Sequence, residues 1–379
     1  MITLYYTLLL STIHAVLGSA DHDRTSLTID AVIQNVRLNE DIYRNLEIVE
    51  EFNYKLFDAK YFPPDALKSI EETSHCVYQD DLYYVRDKRS TKEISGVSSR
   101  GVDLVGYDGS KTVMVNRQPI ANIRDGRYDG YGYLYPHTIL FSSDWLVRVK
   151  LSDFLAGDPD LKKNKFAEYL SNYIVPKSFV EHEEIIDGLR SIKIRIEERL
   201  RHDHDKDNPA NKLISMMYLW LSIDRNYLPV KAEKYYSIYG LNRPMEFGST
   251  VEWKEIENGI WFPIQCNYDV YDGNRFLEDK KIVLCNTSIH RFTVVDLHPH
   301  RPNSFFANIS IPDGYTVYVV NNQGGILKSY VQGGRNALGK TPFGFNRLQS
   351  GLILIFSTLA VLMCVIVVRH FVKRQSRLE

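Results

Sequence analysis

The sequence predicts a mainly β protein: one large curved antiparallel sheet or half-barrel with a few short helices, followed by one C-terminal transmembrane helix. Three observations carry this. Strand-like runs recur at short spacing between residues 77 and 320, with Asp-Gly turns among them. Tyr is abundant, with 25 copies, and suits half-buried pleated surfaces. Residues 351–368, GLILIFSTLAVLMCVIVV, carry no charge, no Pro and no amide side chain.

Taken in order, Ile29, Val32, Ile33 and Val36 recur at helical spacing, so 28–39 reads as an amphipathic helix capped by Ser26 or Thr28. Residues 42–57 suit a long strand, and 77–86, 93–107 and 112–116 read as further strands. Asp108-Gly109 signals a type I′ hairpin. The Gly- and Tyr-rich stretch 124–135 reads as irregular, and 136–141, 151–155 and 160–170 read as short helices, the second headed by Ser152 and Asp153 as capping residues. Strands resume at 179–186, with Asp187-Gly188 as a turn. Residues 191–197 alternate strictly, giving one buried and one solvated face. After a polar loop at 202–211, strands are expected at 213–223, 230–238, 250–256, 261–270 and 281–295, with a last one at 315–320.

The domain organisation follows. Residues 1–20 read as a signal peptide with Gly18-Ser19-Ala20 at its cleavage site, although the segment lacks an early Lys or Arg. Residues 21–330 form an extracytoplasmic β-rich domain. Gly333, Gly334, Gly339 and Gly344 mark a juxtamembrane linker over 331–350. Residues 351–368 span the membrane. Arg369, Lys373, Arg374 and Arg377 place the tail 369–379 in the cytoplasm by the positive-inside rule.

Charged residues make up 25% of the chain and the formal net charge is −1, so no nucleic-acid footprint is present. Of the 4 Cys, Cys364 falls in the apolar run. Cys76, Cys266 and Cys285 are an odd set and give no disulfide framework. Cys266 and Cys285 either face each other across a hairpin with a loop near 271–280 or are separate buried thiols.

No residue is assigned a catalytic, metal or cofactor role. His202, His204, Asp203, Asp205 and Asp207 begin like a calcium loop, but Asn208 and Ile214 stand where Gly and the bidentate acid belong. A solvated loop accounts for them. His298 and His300 flank Pro299 in an exposed turn. His75 and Cys76 are neighbours on a strand and point to opposite faces, which separates base from thiol. His182, Glu183 and Glu184 lie in a strand and fit no helical metal motif. Asn286-Thr-Ser288 and Asn308-Ile-Ser310 match the glycosylation sequon, which matters only in a eukaryotic secretory setting.

The run Trp220-Leu-Ser-Ile-Asp224-Arg-Asn-Tyr-Leu-Pro229-Val, followed by Val251-Glu-Trp253-Lys-Glu-Ile and Gly259-Ile-Trp261-Phe-Pro263, resembles the LolA-like group of envelope proteins, as does Tyr107-Asp108-Gly109. That group includes the periplasmic lipoprotein carrier and related lipoprotein-binding sensors. The resemblance covers about residues 27–320 and implies a half-barrel whose helices lie against its concave face. It also implies an apolar cavity that accepts acyl chains, and it assigns no catalytic residue. A tethered chain departs from a carrier that must diffuse. The expectation is therefore a fixed receptor, sensor or local chaperone for a lipid or lipoprotein, in the inner membrane of a two-membrane cell. The alternative is a structural or protein-interaction module of the envelope without a small-molecule ligand.

Overall fold

The computed structural model describes residues 27–57, 62–63, 65–128, 135–141, 150–157, 174–200, 212–321 and 325–333. Helix α1 (Ile29–Glu40) begins at Thr28, whose hydroxyl accepts from Ala31 N at 3.3 Å. It buries Val32, Ile33 and Val36, the residues at helical spacing. A 3-10 turn at Asp41–Tyr43 leads into β1 (Leu46–Leu56). The first wing continues through β2 (Leu67–Gln79), β3 (Leu82–Glu93), β4 (Ser98–Tyr107), β5 (Lys111–Val115) and β6 (Ile120–Asp125). A 3-10 turn (Pro136–Thr138) and α2 (Leu151–Ala156) precede the second wing. Its strands are β7 (Ile174–Ile186), β8 (Leu189–Leu200), β9 (Leu213–Ser222), β10 (Leu228–Tyr236), β11 (Glu246–Glu257) and β12 (Ile260–Tyr271). Then come α3 (Gly273–Asp279), β13 (Leu284–Asp296), α4 (Asn303–Ala307), β14 (Thr316–Val320) and β15 (Ile326–Val331).

Among the described residues the strands form one sheet in the order β15-β14-β6-β5-β4-β3-β2-β1-β13-β12-β11-β10-β9-β8-β7. Every neighbouring pair is antiparallel except β6 with β14, which is parallel. The two wings meet where β13 pairs with β1.

At ~4.8 Å per strand, the nine steps from β4 to β8 would span roughly 40 Å of flat sheet. Yet Val105 of β4 and Ile194 of β8 belong to one core with Val32 and Val36 of α1. The accumulated strand twist curls the sheet around the helices. The inner face carries Ile48, Cys76, Val85, Ile192, Ile194, Ile196, Leu219 and Phe262, and α1, α2 and residues 139–141 fill the space above them.

Between β13 and β14 the chain crosses the opposite, outer face as a strap. Arg301 grips Glu47 at 2.7–3.0 Å, and Phe305 lies 4.8 Å from the Tyr84 ring. Ile309 lies over Gly106, where a Cβ would come within 2.4 Å of its Cδ1. A small second core of Val115, Ala121 and Val317 closes under the strap with Ile309 and Ile311.

Several elements differ from the sequence expectation. Residues 77–86 form no single strand: Asp80 takes φ +53° and turns the chain between β2 and β3. At Asp108-Gly109 the hairpin is present, but only Gly109 has positive φ. Asp108 Oδ1 instead accepts from Ser110 N at 2.8 Å and Lys111 N at 2.7 Å, a side-chain-capped turn. Asp187 (φ +49°) and Gly188 (φ +80°) are the residues that form the type I′ turn. Strand β6 extends into the stretch read as irregular, and β15 follows the strand expected to be last. The N-cap of α2 is Lys150, which makes no side-chain capping bond, and Ser152 bonds Glu40 instead. Helix α3 fills the expected loop near 271–280, headed by Asp272, which accepts from Asn274 N and Arg275 N.

Cys266 stands opposite His290 and Thr250 rather than Cys285, and Cys76, Cys266 and Cys285 are all thiols. No helix among the described residues is long and apolar enough to cross a membrane. The segments 1–20, 160–170, 202–211, 334–350, 351–368 and 369–379 lie outside the described residues.

Candidate functional site

Two short helices sit on the inner face, and polar ties fix them to each other. Glu40, at the end of α1, is 3% exposed and accepts from Ser152 Oγ at 2.5 Å and Ser152 N at 3.2 Å. Burial pushes its carboxyl up, and the Ser152 bonds pull it partly back. Lys150 Nζ lies 3.3 Å from Asp41, and Arg37 lies 3.6 Å from Asp153. Helix α2 ends at Gly157, which takes φ +65°.

The polar clamp leaves a groove between these helices and the sheet's terminal strand. Its walls are Ile29, Asp30, Ile33, Gln34 and Arg37 of α1, Leu155 and Ala156 of α2, and residues 176–179 of β7, around about 530 Å³. That volume is within the range of small-ligand sites. Ile29, Ile33 and Arg37 recur every four residues, which puts them on one side of α1. Ser178 shares the inner face with Ile196 opposite it, and its Oγ is buried with no hydrogen-bond partner.

The deeper inner face is packed. Leu140, Phe141, Met217, Ala232, Lys234, Glu246 and Tyr268 leave a void of about 10 Å³, room for one water. Polar groups there satisfy one another: Glu246 accepts from the Tyr236 and Tyr268 hydroxyls, and Glu198 accepts from Ser215 and lies 3.3 Å from Lys234. Among these described residues the inner face is filled, whereas the groove between α1, α2 and β7 is open.

A polar patch occupies the inner face of β13 and β1 to β4. Glu50 stands opposite Ser74, Ser74 opposite Asp87, and Asp87 opposite Asp103. His290 bonds Glu50 at 2.6 Å, Arg89 pairs with Glu72, and Arg117 lies 2.9 Å from Asp103. Burial is the main cause pushing the Asp87 carboxyl up to about 6, with Glu72 and Asp103 adding repulsion against the Ser74 bond and Arg89. A further open groove of about 630 Å³ crosses β1 to β4, with Glu51, Glu71, Lys88 and Arg100 among its lining residues.

The residues weighed from sequence spread across the sheet. His75 bonds Glu47 at 3.0 Å on the outer face, while Cys76 is buried in the core and held well above the usual thiol range by burial. That thiol is a poor nucleophile. His182 lies 3.4 Å from Glu184 on β7, and His298 and His300 are exposed. Residues 202–208 lie outside the described residues. No three His, Cys, Asp or Glu among the described residues group as metal ligands. Sequence reasoning passed over Arg37 and the Lys177-Ser178 pair, which carry no motif and which only the fold brings to one groove.

Comparison with protein-family models and with curated proteins finds no match. Among solved structures, the chain is similar to a DUF1329 family protein from Desulfovibrio piger ATCC 29098, at 11% identity and TM-score 0.33 over 73% of this chain and 96% of that one. It is also similar to a domain from Vibrio parahaemolyticus described as outer membrane lipoprotein-sorting, at 9% identity and TM-score 0.31 over 73% and 96%. LprF from Mycobacterium bovis matches at 7% identity and TM-score 0.24 over 76% and 98%.

Proposed function

We propose that this chain is a membrane-tethered envelope protein that receives an apolar ligand, an acyl chain of a lipid or lipoprotein, in the groove between α1, α2 and β7. The observation that carries the reading is that groove: about 530 Å³, walled by Ile29, Ile33 and Leu155, with Arg37 and Lys177 beside them. The apolar run 351–368 with its basic tail supports a single C-terminal anchor, with the β domain outside the cytoplasm. Tethered in this way, the protein acts as a fixed receptor, sensor or local chaperone. The test is native mass spectrometry of the chain purified from lipid-containing cells. Bound lipid, lost in Ile33→Trp, is expected; a ligand-free protein that takes up no lipid sinks the reading. The tether is checked by membrane fractionation, with deletion of 351–368 expected to release the chain.

A second reading, a protein-interaction module, is favoured by the packed inner face and by β15, whose Ile326 and Leu327 are each 63% exposed. It predicts a partner protein rather than lipid in the same purification.

A further inference from the structure

Ile326 and Leu327 are consecutive and each 63% exposed, and Val331 on the same strand is 45% exposed. Together they make β15 an apolar edge. Among the described residues β15 pairs only with β14, so the N–H and C=O groups of its other side meet no strand.

The chain leaves the domain from this edge. Gln332 is still held at the end of the hairpin: its N–H donates to the Tyr315 carbonyl at 2.9 Å, and its carbonyl accepts from Gly314 N at 2.9 Å. Only residues 334–350 then separate the domain from the apolar run 351–368. Seventeen residues reach at most about 60 Å when fully extended. A membrane that holds the run therefore never lies far from β15. A weak affinity for its surface suffices, because a tether acts as a high local concentration.

Charge points the same way. After Asp313 no acidic residue occurs until Glu379, beyond the apolar run, whereas Lys328, Arg335, Lys340 and Arg347 are cations. The opposite edge of the sheet differs, since β7 carries Glu181, Glu183 and Glu184. An anionic surface thus attracts the β15 end of the sheet and repels the β7 end.

We propose that β15 docks on the surface of the membrane that anchors the chain, with Ile326, Leu327 and Val331 among the lipid headgroups and Lys328 beside anionic heads. At that depth water and phosphate oxygens meet the free backbone groups of β15, so the edge is covered without a partner strand. The docking rests on the anchor reading of 351–368 and is independent of any ligand in the groove.

The test uses the full chain, one copy per nanodisc of phosphatidylcholine with phosphatidylglycerol, so that no second copy covers the edge. An environment-sensitive fluorophore is attached to Leu327→Cys or, on the opposite edge, to Ile185→Cys, which replaces a residue 72% exposed. Cys76, Cys266 and Cys285 are buried, which keeps the labelling selective. Lipids with a nitroxide near the headgroup are expected to quench the fluorophore at 327 and not at 185. Lys328→Gln should lower the ratio of docked to free β15 about fivefold in these discs, and leave it unchanged in pure phosphatidylcholine. Ile326→Asp, a change at an exposed position, should abolish quenching at 327. Equal quenching at the two sites, or none at 327 in a chain that has entered the discs, overturns the proposal and leaves the anchor standing. A chain that does not enter the discs overturns the anchor reading itself, and the proposal with it.

Discussion

Glu40, His137 and Asp87 each hold an ionisable group away from water, and their pH signatures differ in sign. The Glu40 carboxyl is raised by burial, so the folded state loses stability relative to the unfolded chain as pH climbs through its titration. Glu40→Gln keeps an oxygen to accept from Ser152 and carries no charge. Denaturant unfolding between pH 5 and 8 should give the variant a flatter profile than the parent. His137 is 0% exposed, its Nε2 lies 2.9 Å from the Asn226 carbonyl, and its Nδ1 is bare. Nε2 therefore carries the proton of a neutral ring. Burial lowers its pKa from 6.5 to about 4, so stability falls as the pH drops through that window, by up to about 3 kcal/mol. His137→Gln should abolish this acid loss. Asp87 works the other way. Its carboxyl, raised to about 6, makes the fold less stable at neutral pH than at pH 4 to 5. Asp87→Asn is expected to raise stability at pH 8 by about 2 kcal/mol, read as a higher denaturant midpoint.

At the scale of the element, the strap over the outer face depends on one buried charge. Glu47 is 3% exposed; burial alone would raise its carboxyl, but the Arg301 and His75 bonds outweigh that and lower it. Arg301→Ala leaves this carboxylate stranded and should cost about 2–4 kcal/mol, with the double variant Glu47→Gln, Arg301→Ala recovering part of the loss in thermal melts. The strap itself was invisible in the sequence, because nothing in residues 297–315 says which strands they cross. Local signals were legible where one period or one turn decided the outcome. The stripe of α1, the alternation of 191–197 and Asp187-Gly188 all stand where expected. Asp80 was missed although Gln79-Asp80-Asp81 interrupts the apolar run, because the turn places its left-handed φ on Asp80 and carries no Gly to mark it. Strands β6 and β15 are six residues each and lack clean alternation. The groove was illegible for a different reason: Ile33 and Ser178 are remote in sequence, and only the curl of the sheet brings them together.

At the scale of the molecule, the open sheet has two edges among the described residues. Strand β7 blunts its own with Pro176, a bulge between Val180 and His182, and Glu181, Glu183 and Glu184. Strand β15 exposes Ile326, Leu327 and Val331 with Lys328 as its one charge. Replacing Leu327 by Lys should leave folding intact and reduce self-association, measured by sedimentation at rising concentration.

The parallel pairing of β6 with β14 also sets a schedule. About 190 residues separate Asp125 from Thr316, the end of one strand and the start of the other. A ribosome adding about 5–20 residues per second takes roughly 10–40 s to cover that distance. Throughout this interval β6 is a finished strand with no neighbour on one side, and the Ala121 face awaits Ile309 and Val317. The nascent chain therefore carries a first wing whose β1 edge stays open until β13 emerges and whose β6 edge stays open longer still, and a chaperone that protects it would need to hold the β6 edge until the strap has closed.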